Sequence, residues 1–144
     1  MEEEEERKIL LEIDGLHEKL LQESTSRWNG MYSEEPSGYN YKFNADELLK
    51  KVYELHEKFN PEYLTRHCIE AFSHTCNKEV SCVEYHHEKA IKRNAPKIRK
   101  VELVQAINKA NIQIRLDLFT LFLKVSEIKS VPVTFLESNE QEIN

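Results

Sequence analysis

The stretch that decides the fold is residues 111–128, NIQIRLDLFTLFLKVSEI. Taken two at a time, Ile112, Ile114, Leu116 and Leu118 alternate with Gln113, Arg115 and Asp117, which is the period of a half-buried strand. Taken at the helical period, Ile114, Leu118, Leu121, Val125 and Ile128 share one face, and Phe119, Phe122 and Leu123 widen it until little is left for solvent. A strand needs a second strand for its backbone hydrogen bonds, and the chain offers no convincing one. Helix is therefore the expected state. Downstream, residues 131–136, VPVTFL, read as extended because Pro132 disfavours helix before it. This leaves a short extended C-terminal segment open, followed by a polar tail over 137–144.

Upstream of that stretch, Asn94-Ala95-Pro96 punctuates the chain, and Ile98, Val101, Val104 and Ile107 continue helically beyond it. A short helix is expected over 79–93, with Val80, Val83, His87, Ala90 and Ile91 on one face and a break before it at Cys76-Asn77. Asn60-Pro61 is expected to end one helix and open the next, since Pro fits the first helical position. The stripe of that next helix is Leu64, Cys68, Ala71, Phe72 and Thr75. Asn44 with Glu47 three residues later makes a capping-box-like start for a helix carrying Leu48, Leu49, Val52, Leu55 and Phe59. Residues 27–44 are the least periodic and read as a long aromatic-rich loop. The first helix is expected over roughly 3 to 26: Ile9, Ile13, Leu16 and Leu20 recur at four, three and four, with Leu10, His17 and Leu21 alongside. Gly15 is its weak point, at ~1 kcal/mol against alanine.

The whole is expected to be one all-α domain over 1–144, a bundle of about five helices. At 144 residues it has one domain's worth of material. With 40% hydrophobic and 32% charged residues, but only 3 Gly and 4 Pro, it is neither collagen-like, nor Gly/Pro-rich and disordered, nor a small disulfide scaffold. No apolar run is long enough for a membrane span, and the acidic start MEEEEERK does not read as a secretory signal. Three cysteines, an odd number, point to a reducing compartment, cytoplasm or nucleus.

The net charge of −6 is divided unevenly: residues 1–72 carry −8 and residues 73–144 carry +2. A field that attracts nucleic acid over the whole domain is not expected. The local exception is a basic corner, Lys89, Lys92, Arg93, Lys97, Arg99 and Lys100, with no acid among them. It could hold phosphates or an acidic partner segment, against the plainer reading of a solvated surface.

The densest set of potential metal ligands is His67, Cys68, His74, Cys76, Cys82, His86 and His87. A zinc site built from His74, Cys76, Cys82 and His86 would fasten the third helix to the second. The spacing fits none of the common finger forms, and Cys68 reads most simply as a small core residue. No cofactor is expected. No H-E-x-x-H, P-loop, G-x-G-x-x-G or G-x-S-x-G string is present, and the carboxylates sit where solvated helices carry them. An enzyme is not expected.

What remains is protein–protein association. An all-round apolar last helix in a small domain must either be central or have one face covered by another chain. Leu118, Phe119 and Phe122, with the loop aromatics Trp28, Tyr32, Tyr39 and Tyr41, are the expected partner-binding residues. The expected role is an adaptor or subunit that docks another protein through an apolar helical face with a charged rim. Self-association is a variant of this. A helical protein that binds nucleic acid through the 89–100 corner, and a zinc-stabilised domain, are the alternatives.

Overall fold

The decisive stretch is helical, with one interruption. In the computed structural model, which describes residues 2–29, 41–92 and 97–130, with side chains over 2–22, 41–89 and 101–130, Lys97–Asp117 forms one helix and Phe119–Lys129 another. Burial decides between the two periods. Ile107, Ile114, Leu118 and Leu121 are enclosed, whereas Leu116, which a strand would have turned to the same side as Ile114, is 51% exposed. Leu118 lies between the helices with φ −107° and ψ 29°. Hydrogen bonds from Leu118 N to Ile114 O (3.1 Å) and from Phe122 N to Leu118 O (3.0 Å) keep the helical pattern on both sides. Beyond Leu118, α5 lies more against α1 than against α4, with Leu121, Phe122 and Val125 buried.

Among the described residues there are five helices and no strand: α1 Glu2–Asn29, α2 Tyr41–Phe59, α3 Arg66–Lys92, α4 Lys97–Asp117 and α5 Phe119–Lys129. They form a compact bundle around a single cluster of buried side chains. The contact order is α1 on α2, α2 on α3, α3 on α4, and α4 back onto α1, with α5 closing the seam beside α1. No helix among the described residues is long and apolar enough to cross a membrane.

Three expected boundaries move. The helix expected to open at Asn44 begins at Tyr41, so Tyr41, Lys42 and Phe43 leave the expected 27–44 loop. Its start is held by a partner distant in sequence: Lys42 N donates to Glu84 Oε1 of α3 at 3.2 Å, satisfying an amide that a helix start leaves orphaned. Glu47, expected to close a capping box, instead receives Lys50 at 3.3 Å. Asn60-Pro61 does end α2, with Asn60 in the left-handed region at φ 40° and its N–H on His56 O at 2.9 Å. Pro61 does not start α3, however. A turn intervenes, Leu64 drops into the core, and Thr65 caps α3 by accepting from Cys68 N at 3.2 Å.

The third correction concerns Cys76-Asn77. No break occurs there, and α3 runs continuously from Arg66 to Lys92. Ile69, Phe72, Cys76, Val80 and Val83 are all buried at a helical period that passes through this point. Thr75 turns its hydroxyl to Ala71 O and to Asp117 of α4, so its polar group is satisfied inside the bundle. The expected break at 94–96 falls between α3 and α4; residues 93–96, the extended segment at 131–136 and the tail at 137–144 lie outside the described residues.

A ladder of ion pairs runs along the seam between α1 and α2. Lys51 reaches Glu12 at 2.6 Å and Glu54 at 3.1 Å, while Lys58 reaches Glu5 at 2.9 Å and Glu54 at 3.3 Å. These groups are a third to a half exposed, so water and salt screen each pair and its contribution to stability is small. Their lysines sit above and Glu54 below their ordinary pKa values, first because of these same hydrogen bonds.

Gly15 is the exposed interior position of α1, and a Cβ built there meets nothing within 4 Å. Gly15→Ala therefore removes backbone freedom from the unfolded chain at no steric cost. The urea midpoint should rise, by an amount equivalent to ~0.5–1 kcal/mol.

Candidate functional site

The expected partner-binding residues divide between core and surface. Tyr41 is fully buried, and so are Leu118 and, to within 2%, Phe122. None of these three is a docking residue, which corrects the expectation for each. Tyr41 is not a loop aromatic but the first residue of α2. Its hydroxyl donates to Asn111 Oδ1, and Asn111 Nδ2 donates to Leu20 O at 3.2 Å. Burial of the ring is thereby compensated at its polar end. Leu118 and Phe122 are enclosed because α5 turns that face toward α1. Of the expected set, Phe119 remains at the surface, 43% exposed. Trp28 lies in the last turns of α1 with its side chain outside the described residues, and Tyr32 and Tyr39 lie outside them altogether.

The exposed apolar residues that the sequence reading missed include Leu116 and Leu123 here, and Leu11 on α1 and Tyr53 on α2. With Phe119, Leu116 and Leu123 recur at intervals of three and four, and so form one stripe along the outer side of the α4–α5 junction. The signal was present in the spacing, but it was absorbed into a helix read as apolar all round. Around the stripe lie polar and charged groups. Thr120 Oγ1 donates to Tyr63 O, Gln113 holds Asp117 at 2.9 Å, and Lys124 pairs with Glu127 at 3.8 Å. A second exposed set, Phe43 at the start of α2 and Tyr85 near the end of α3, carries Lys89 Nζ at 5.0 Å over the Tyr85 ring.

The described residues carry part of the basic stretch. Lys92 ends α3, Lys97, Arg99 and Lys100 lie in the opening residues of α4, and Arg93 falls in the connection outside the described residues. Only Lys89 has a described side chain, and it is engaged with Tyr85.

The four suggested zinc ligands lie on the single helix α3 rather than across a corner. His74 and Cys82 are exposed, His86 is half-buried and Cys76 is buried. At 3.6 residues per turn Cys76 points about 120° away from Cys82. No group of three or more His, Cys, Asp or Glu side chains among the described residues is placed to hold a metal ion. Cys76 is an inert thiol. Burial, and after it the nearby Asp46 carboxylate, push its pKa up to about 12, with Lys42 opposing and Asp117 adding.

A polar seam between α1, α4 and α5 also went unread. Lys129 Nζ lies 2.7 Å from Asp14 Oδ2, and Arg115 sits with its guanidinium carbon 5.2 Å from the Phe122 ring centre. His17 is fully buried, 4.9 Å from the same ring, and neither of its nitrogens makes a well-aligned hydrogen bond, although the Asn111 backbone lies within weak reach. Burial first, and the Arg115 charge second, lower its pKa to about 3; the Asn111 backbone acts weakly the other way. Arg115 is itself shifted below its ordinary value by burial, against the pull of Asp14 and Glu18. The available sign was a histidine in line with Leu10, Ile13 and Leu20.

Two measurements check this placement. Tyr41→Phe leaves the Asn111 carbonyl oxygen without its donor and should destabilise the fold by ~1–3 kcal/mol in urea. Thiol titration of the native chain with an aromatic disulfide should modify Cys82 first, Cys68 more slowly and Cys76 only as the protein unfolds. Equal rates for Cys76 and Cys82 would contradict the burial described. In comparisons with known proteins, no family model, no curated protein and no solved structure matches this chain.

Proposed function

We propose that the chain is a non-catalytic interaction module, an adaptor or subunit, that docks another protein on the stripe formed by Leu116, Phe119 and Leu123. The observation that carries this reading is a contrast along one continuous stretch. Leu118, Leu121 and Phe122 are enclosed, while the three stripe residues keep 41–51% of their surface in water. Large apolar side chains standing together at helical spacing are costly to leave hydrated, and a partner surface would remove them from water. The mixed charges beside them, Lys124 and Glu127 among them, would set orientation and encounter rate more than affinity. The second-ranked role, nucleic-acid binding by the 89–100 stretch, rests on the run of basic residues in the sequence.

Salt and substitution separate these roles. A photo-crosslinking residue at position 119 in living cells should give one discrete adduct, and the same residue at Glu70 should not. The adduct should survive added salt and disappear in Leu116→Ser with Leu123→Ser. Each of those surface changes should move stability by only ~0.5 kcal/mol. Identical adducts from both positions would refute the docking reading. Oligonucleotide binding that weakens steeply with salt, and is abolished by Lys92→Ala with Lys97→Ala, would favour the nucleic-acid role instead. A light-scattering mass that doubles with concentration would identify a second copy of this chain as the occupant.

A further inference from the structure

We infer that α5 is a latch on α1 that acid releases, with His17 as the group that reads the pH. The inference does not depend on what docks at the stripe. It begins from how the ring is enclosed. His17 projects from α1 into the seam between α4 and α5. Phe122 of α5 lies over it at 4.9 Å with the rings inclined by 54°, and no solvent reaches it. Neither nitrogen makes a well-aligned hydrogen bond; the Asn111 backbone lies within weak reach, but burial and the Arg115 charge outweigh it, so an added proton is poorly accommodated.

The charges around the ring offer no remedy while the seam is closed. From α1 come Asp14 and Glu18, from α4 Arg115 and from α5 Lys129. Asp14 is taken up by Lys129 at 2.7 Å, and Glu18 is exposed. Arg115 places a positive charge beside the ring. On α2 the groups turned to α1 are Lys51 and Lys58, which are engaged further along the seam with Glu12 and Glu5. A second cation beside Arg115, with no carboxylate on either nitrogen, is tolerated only if water enters.

Of the two helices that could move to admit water, α5 is the weaker held. It has 11 residues, buries Leu121, Phe122 and Val125, and is joined through Leu118, whose backbone already lies outside the helix. Its polar ties to the rest of the bundle include Lys129 to Asp14 and Thr120 to Tyr63 O. By contrast, α1 buries Ile9, Leu10, Ile13 and Leu20 and carries the ion ladder to α2.

The sign follows from linkage. The enclosed ring stays neutral down to about pH 3, whereas a ring released to water takes a proton near its ordinary value of about 6.5. The open form therefore binds more protons between those limits. Closure is fully favoured above about pH 6.5 and loses ground as pH falls through the window below it. Between pH 7.5 and 5.0 the opening equilibrium should rise about thirtyfold.

Amide hydrogen exchange of the full chain, followed by mass spectrometry and corrected for the intrinsic pH dependence, reads this directly. Peptides covering α5 should lose about thirtyfold in protection between pH 7.5 and 5.0, while the cores of α2 and α3 lose far less. In His17→Phe and His17→Gln the α5 profile should be flat. A profile unchanged by these substitutions, or a loss spread evenly over all helices, would overturn the latch. If neither variant folds, proton NMR of the wild-type ring decides. A His17 signal that does not move between pH 7.5 and 5.0, together with loss confined to α5, supports the latch. A midpoint near 6.5 in the closed protein overturns it.

Discussion

The Asn111 carboxamide is the constraint around which the helices are arranged. Fully buried, it accepts from the Tyr41 hydroxyl of α2 and donates to the Leu20 carbonyl of α1 while standing on α4. Apolar packing alone tolerates a helix sliding by a turn, because one leucine replaces another at little cost. A buried amide does not, since any slip leaves a donor or acceptor unmet in a medium where that is expensive. Three helices share one register as a result.

The seam beside it shows the opposite condition. Only a few residues away, His17 is just as deeply enclosed and makes no well-aligned hydrogen bond, only a weak approach to the Asn111 backbone. The two sites differ in what faces them. Asn111 meets a hydroxyl and a carbonyl, whereas His17 meets the Phe122 ring and the Arg115 charge. One polar group locks the bundle, and the other makes the adjoining helix conditional on solvent. The same helix junction bears the partly exposed residues Leu116, Phe119 and Leu123, so α5 joins a weakly held inner face to a partly exposed outer one.

The elements were largely legible, and their limits were not. The burial of Leu48, Val52 and Leu55 in α2, and of Ile9, Ile13 and Leu20 in α1, follows from spacing alone. Cys76-Asn77 was misread as a stop because neither residue favours helix strongly. The face that continues from Phe72 through Cys76 to Val80 overrides that local preference. At Asn44 the error had the other cause. A good local cap was present, but Glu84, forty residues downstream in the sequence, offered α2 a start one turn earlier. Among candidate site residues, Phe119 was legible as a large apolar group on a broad face. Tyr41, Leu118 and Phe122 were not separable from it, because an apolar residue looks the same whether a neighbour covers it or water does.

Periodicity and composition, which depend only on neighbours along the chain, were enough to determine an all-helical fold, most of its inward faces and its uneven charge. The tertiary structure alone decided which side of the last helix is enclosed, where α2 begins, and that α3 does not stop at Cys76. It also decided that His17 is sealed with only a weak polar contact while the Asn111 carboxamide has two good ones. Each of these depends on groups far apart in sequence meeting in space. Burial and hydrogen-bond satisfaction belong to the assembled helices, and no spacing within one helix encodes them.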